Sequence, residues 1–250
     1  MKDGTATATP PKKRVLKVML SGIVALIVIS FIWHFAWIMT GSNEWELKID
    51  KNGTMVYTLK APGSVMKKFR GVKNYRYSLN NMISPFVDES DDIQKNCDKW
   101  LPGCTEYKIL KRLDSKSLSN LQLWKFKIFF PFAPREMLLQ GQIYQDTLTK
   151  EIVIENIAVP NKIDQNKGYV RLTHLHNMWH YTPQKSGEIQ VEFTQDFEMG
   201  GFFPSILMNL AGTQAVYKIL DQDLPKQFAL EKYRTAKLDF IQEPAISEVK

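Results

Sequence analysis

The chain has 250 residues, 44% hydrophobic and 24% charged, a balance that excludes wholesale disorder and allows one substantial domain with an appendage. Its net charge is +7, but Lys2, Lys12, Lys13, Arg14 and Lys17 stand against Asp3 alone within the first 40 residues. The remaining 210 residues carry 28 basic and 25 acidic side chains, which leaves no basic stripe for nucleic acid.

The first predicted element is Val18–Met39, VMLSGIVALIVISFIWHFAWIM, which carries no Lys, Arg, Asp or Glu. As a helix it would be about 33 Å long, enough to cross a hydrocarbon core. Phe31, Trp33, Phe35 and Trp37 crowd its C-terminal end, where an interfacial belt would sit. The basic flank PPKKRVLK precedes it, and Glu44 and Glu46 follow, so the positive-inside rule places residues 1–17 in the cytoplasm. A cleaved signal peptide is the competing reading. It usually has a shorter apolar core and a small-x-small site, which Thr40 and Ser42 supply poorly. An uncleaved anchor is therefore expected, single-pass in the cytoplasmic (inner) membrane, with the rest of the chain on the periplasmic or extracytoplasmic side.

Beyond residue 43 the apolar residues alternate. TMVYTLK (54–60), KKFRGVKNYRY (67–77), TEYKILKRL (105–113) and MLLQGQIYQD (137–146) read as strands. So do the runs carrying Trp124, Phe126, Ile128 and Phe130, then Ile152, Ile154 and Ala158, then Ile189, Val191 and Phe193. Turn residues fall between them at Asn52-Gly53, Pro62-Gly63, Pro102-Gly103, Pro131, Pro134 and Ser186-Gly187. Short, evenly spaced strands predict one curved antiparallel sheet. Two stretches break the period. Met82, Ile83, Phe86 and Val87 are spaced for a helix that Pro85 limits. From Pro204, the apolar positions Phe203, Leu207, Leu210, Ala211, Val216, Tyr217 and Leu220 predict a longer helix, interrupted at Pro225. Cys97 and Cys104 are the only cysteines. A disulfide between them and two unpaired thiols are both open, and their spacing matches no common zinc set.

Taken in order, WELKIDKNGTMVYTLKAPGSVMKKFRG (45–71), WLPGCTEYKIL (100–110), PREMLLQG (134–141), QNKGYVRL (165–172), WHYTP (179–183) and SGEIQVEFTQDFEMGGFFPSILMN (186–209) resemble the START (steroidogenic acute regulatory protein-related lipid transfer) domains. The likeness is to bacterial members with an export or anchor segment. The resemblance implies an α+β helix-grip fold, in which a curved antiparallel sheet wraps a long C-terminal helix and a tunnel between them holds one lipid. It implies a lipid-binding domain over 43–230 and a C-terminal tail over 231–250. It implies a mobile loop at Ala158–Gly168 beside the tunnel mouth, a lid from Pro204 with Gly200 and Gly201 as its joint, and one central strand over Gly168–Pro183.

Polar candidates are few. Three of the four histidines lie in THLHNMWH, and His174, His176 and His180 share a strand face. A metal site fails on ligand count, because His180 lies about 13 Å beyond His176 by strand rise. Catalysis lacks a nucleophile elbow or a phosphate loop. Polar lining of an apolar pocket and exposure to solvent both remain open for His174 and His176. The resemblance places Glu106 on the tunnel wall, where some relatives pair an acid with an arginine. Here the arginine's position is Gly141, so the pair is incomplete. The expected apolar lining is Trp124, Met137, Leu139, Trp179, Phe193, Phe203, Leu207 and Leu210. The expected function is non-catalytic binding, presentation or transfer of one lipid or other hydrophobic molecule. No cofactor is implied, the partners are the ligand and a membrane, and a monomer is expected. The alternatives are a cyclase or hydrolase on the same scaffold using His174, His176 or Glu106, and an interaction module with a filled core.

Overall fold

The computed structural model describes residues 12–90, 93, 95, 97–114 and 118–244. Helix α1 (Lys12–Met39) makes no use of a soluble core, and its apolar side chains are exposed along almost its whole length. Val15–Met39 is long and apolar enough to cross a membrane. Its end is tied to the following domain. Trp37 Nε1 donates to the Val65 carbonyl at 3.0 Å, Gly63 N donates to Ile38 O at 2.8 Å, and Lys60 Nζ donates to Thr40 O at 3.0 Å.

Ten described strands form one sheet: β1 (Trp45–Lys51), β2 (Thr54–Leu59), β3 (Lys68–Tyr75), β4 (Cys104–Asp114), β5 (Ser119–Phe126), β6 (Arg135–Gln145), β7 (Ile152–Ala158), β8 (Val170–Arg171), β9 (Leu175–Pro183) and β10 (Ile189–Phe197). The order is β1-β2-β3-β10-β9-β7-β6-β5-β4, antiparallel throughout, with β8 added parallel to β6. The β1–β2 hairpin turns at Asn52-Gly53, whose φ values of 53° and 69° suit the residue pair favoured in a tight hairpin. The central strand expected over 168–183 is two pieces instead, β8 and β9, which leave the sheet between Leu172 and His174.

The concave face is closed from two sides. Helix α2 (Leu79–Val87) is capped by Ser78, whose hydroxyl accepts from Asn81 N, and it carries Pro85 in its last turn. It buries Leu79, Met82 and Ile83 against Tyr75, Tyr181 and Ile189. Helix α3 (Ser205–Lys218) runs on through a π turn (Ile219–Asp223) into α4 (Leu224–Phe228). The wider turn precedes Pro225, which has no N–H to give to a regular ladder. Gly212 and Gly71 let helix and sheet approach closely. A Cβ on Gly212 would lie 2.2 Å from Phe69, and one on Gly71 would lie 2.4 Å from Leu220. The sheet thus grips the C-terminal helix, which is the helix-grip architecture. Of the segment expected as a tail, residues 231–244 are described, and they pack on the domain. Short helix α5 (Glu231–Arg234) buries Tyr233, and Glu243 accepts from Leu79 N and Asn80 N at the start of α2. Cys97 and Cys104 are joined in a disulfide, packed with Ile93, Tyr107 and Trp100.

Candidate functional site

Strand alternation assigns each residue to a face. On β9 the buried Leu175, Trp179 and Tyr181 point to the concave side, so His174, His176 and His180 point to the convex side. There each meets a carboxylate: His174 meets Asp196 at 2.9 Å, His176 meets Glu155 at 2.7 Å and His180 meets Glu151 at 3.4 Å. His174 and His176 are therefore not interior lining, because the odd-numbered residues of this strand hold the core. Glu106 is turned outward too. Its neighbour Tyr107 takes the inner face opposite Trp124, while Glu106 pairs with Lys108 at 2.7 Å and Lys125 at 2.9 Å. Hydrogen bonds from Lys108 and then Lys125 outweigh partial burial and hold its carboxyl below the usual range. His174, His176 and Glu106 do not converge on an interior point. Among the described residues no group of three or more His, Cys, Asp or Glu is arranged to hold a metal ion.

The residues expected as apolar lining fall in different surroundings. Met137, Leu139, Trp179 and Phe193 are buried on the concave face, and Trp179 stacks on Phe193 with ring centroids 3.9 Å apart. Trp124 is half-buried against Tyr107 and donates to Gln122 Oε1 at 3.0 Å. Phe203 packs beside Met208 on a cluster of Phe126, Met137, Leu139, Leu172 and Leu175. Leu207 and Leu210 depart from expectation. The buried stripe of α3 is Asn209, Gly212 and Val216, so helical periodicity turns Leu207 and Leu210 outward, and Leu210 is 72% exposed.

One end of the sheet gathers a cluster of phenylalanines, Phe129, Phe132, Phe202 and Phe203. There β2, β5, β7 and β10 end, and β3, β6 and β9 begin, as the pairings Phe126–Arg135, Leu139–Ala158, Ile157–His176, Leu175–Phe197 and Lys68–Leu59 show. Phe132 of the β5–β6 loop lies 4.9 Å from Phe203 and 5.2 Å from Phe129, ring to ring. Arg135 fixes this end. It is buried, it donates to the carbonyls of Met199, Gly200 and Ala133, and its guanidinium lies 5.8 Å from the Phe203 ring. The loop beside the helix start is thus the one between β5 and β6. The 158–168 segment expected there covers the convex face instead. Val159 packs on Leu121, Leu123 and Leu138, and the segment wraps the buried Glu136–Arg171 pair. Arg171 donates to Pro160 O, Ile163 O and Asp164 O, while Glu136 accepts from Asn166.

Sequence reasoning missed a line of amides across the concave floor. Asn120, Asn156, Asn177 and Gln195 stand on neighbouring strands in register, with Gly141 between the first two and Gln122 one step along β5. Asn156 holds the inward position between Ile154 and Ala158, so the same alternation that selected those residues marks it.

No protein-family model matches the chain. An uncharacterised protein of Pseudomonas aeruginosa is 27% identical over 172 residues, covering 67% of this chain and 79% of that one. Among solved structures, a fragment of the STAR-related lipid transfer protein of Xanthomonas axonopodis superposes with a TM-score of 0.61 at 19% identity, covering 73% of this chain and 98% of that one. Human STARD10 gives 0.61 at 12% identity, over 90% and 82%. Human StAR-related lipid transfer protein 5 gives 0.59 at 14% identity, over 86% and 97%. The chain has the START-like helix-grip fold.

Proposed function

We propose that this chain is a membrane-anchored, non-catalytic lipid-binding protein, which holds one hydrophobic molecule between the concave face of the sheet and its covering helices and presents it to the adjacent bilayer. The observation that carries this reading is the composition of the concave face. Met137, Leu139, Trp179, Phe193 and Phe203 form an apolar wall on a fold shared with lipid transfer structures, and the titratable candidates face the other way. Taking an acyl chain out of water is worth about 0.8 kcal/mol per CH₂, so a site that opens between these residues and stays dry would compete with a bilayer for its ligand. Entry and exit are assigned to the aromatic end, where the β5–β6 loop meets the start of α3 through Phe132 and Phe203. The N-terminal residues are assigned to the cytoplasm and the domain to the opposite side of the inner membrane. The ordered junction after Met39 suits presentation within reach of one membrane, and the Cys97–Cys104 bridge suits an oxidising compartment.

The test is native mass spectrometry of the full-length protein purified in mild detergent, followed by extraction and identification of what it carries. One stoichiometric lipid per chain is expected. A protein of bare mass that also rejects added acylglycerols, phospholipids and sterols overturns the reading.

A further inference from the structure

Between the two apolar clusters of the concave face runs a polar belt. Asn120 faces Gly141 across β5–β6, Gly141 faces Asn156, Asn156 faces Asn177, and Asn177 faces Gln195. On one side lie Ile154, Trp179 and Phe193, and on the other lie Leu139, Leu175 and Phe197. On β9 the flanking inward residues Leu175 and Trp179 are buried, and on β10 so are Phe193 and Phe197. Asn177 and Gln195 between them keep accessible surface.

A packed core has no use for this row, because an amide removed from water without a partner costs about 2–7 kcal/mol. Yet Asn177 Oδ1 is buried and has no hydrogen-bond partner. The β5 end of the belt is held in place. Gln122 Nε2 donates to Asn120 Oδ1 at 2.7 Å, and Gln122 Oε1 accepts from Trp124. These amides and Asn156 close over the bare backbone of Gly141. A Cβ there would lie 2.8 Å from Gln122 Nε2 and 3.0 Å from both Asn120 Oδ1 and Asn156 Oδ1. An arginine at 141 has no room.

We infer that the belt of Asn120, Gln122, Asn156, Asn177 and Gln195 is the subsite for an uncharged hydrogen-bonding group of the ligand, such as a glycerol hydroxyl or an amide, and that it selects against phosphate, sulfate and carboxylate head groups. Carboxamides supply donors and acceptors together, without charge. An anion here would be desolvated. Arg112, Arg135 and Lys73 share the concave face, and each is committed elsewhere: Arg112, opposite Asn120 in register, is paired with Glu89. Arg135 serves three carbonyls and stands six positions from Gly141, about 20 Å along β6. Lys73 is paired with Asp221 at 2.6 Å, four positions from Phe69, which lies opposite Gln195, so it is about 13 Å from the row.

This inference rests on the lipid-binding reading, and three probes of equal chain length separate the two. Full-length protein immobilised from detergent is equilibrated with tritiated 1-O-hexadecylglycerol, hexadecyl sulfate or hexadecane, and the retained label is counted. The wild type should hold hexadecylglycerol at least about tenfold more tightly than hexadecyl sulfate, the size of effect set by one or two buried hydrogen bonds. Asn156→Leu and Asn177→Leu should lower hexadecylglycerol to the level of hexadecane and leave hexadecane unchanged or stronger. Gln195→Leu carries the same test if either variant fails to fold by near-UV circular dichroism. Equal or better retention of the sulfate by wild type overturns the inference while the hydrophobic site stands, as does a glycerol preference that survives the variants. Retention of none of the three overturns the lipid-binding reading with it.

Discussion

At the scale of single residues, the most costly arrangement is the Glu136–Arg171 pair, in which both side chains are almost fully buried and bonded at 2.7 Å. Two charges taken from water repay their desolvation only when every remaining donor and lone pair is used. Here Asn166 and the carbonyls of 160, 163 and 164 use them. The pair therefore determines the fold of the 158–168 segment, and that segment's cover over Leu121, Leu123 and Leu138 follows from it. Arg171→Ala strands a buried carboxylate and should cost about 3–5 kcal/mol in urea unfolding. The double variant Arg171→Met/Glu136→Leu should recover most of that loss, because it removes both charges together. If Arg171→Ala unfolds at the wild-type midpoint, the pair is not what orders the segment.

At the scale of elements, the grip depends on two glycines placed so that helix and sheet can touch. Gly212→Val should cost more than the about 1–3 kcal/mol typical of overpacking, because Phe69 lies behind it with no exposure and cannot yield. Thermal unfolding measures this, and Ala211→Val one position away on the exposed side is the control. A Gly212→Val midpoint equal to that control would show that the helix does not seat on β3. The elements themselves were legible in the sequence. Strands such as β2 and β10 show their period of two, and α2 shows its period of 3.6, because a half-buried element must repeat its apolar residues at its own period. Which face is inward was less legible. THLHNMWH alternates equally well with the histidines in or out, and only the pairing of Trp179 with Ile154 and Phe193 decides it. The same holds for Leu207 and Leu210. An α3 whose first turns are apolar on all sides cannot say which side meets the sheet, and Gly212 marks that side only once Phe69 is seen against it. The amide belt was hidden for a different reason. Its members are spread over four strands, and one or two residues from each carry no local pattern until register brings them into line.

At the scale of the whole molecule, the end of the apolar helix α1 and the phenylalanine-rich end of the domain lie together. Trp37 in the last turn of α1 and Asn209 in α3 donate to the same carbonyl, that of Val65, at 3.0 and 2.9 Å. Around Asn209 the surface is apolar. Ile206 is 58% exposed, Phe202 88%, and Phe129 and Phe130 across the ring cluster are 60% and 93% exposed. A contiguous apolar patch of this kind on a soluble surface ordinarily has a partner. Under the proposed function a bilayer holding α1 would lie within reach, so the patch would rest on the surface of that bilayer and the ligand's exit would face it. Burying one phenylalanine side chain is worth about 1.5–3 kcal/mol, so Phe130 and Phe202 together would hold the domain down for most of the time. The prediction concerns the full-length chain in liposomes, labelled with an environment-sensitive dye at Phe130→Cys or, as a control, at Leu148→Cys. Leu148 is 90% exposed in the β6–β7 turn, at the far end of the sheet from the anchor. The dye at 130 should emit to the blue and be quenched by spin-labelled lipid, while the dye at 148 should report water. Equal, water-like signals at the two positions would detach the patch from the membrane. A blue shift at 130 that persists in detergent and grows with protein concentration would assign the patch to a second copy of the chain.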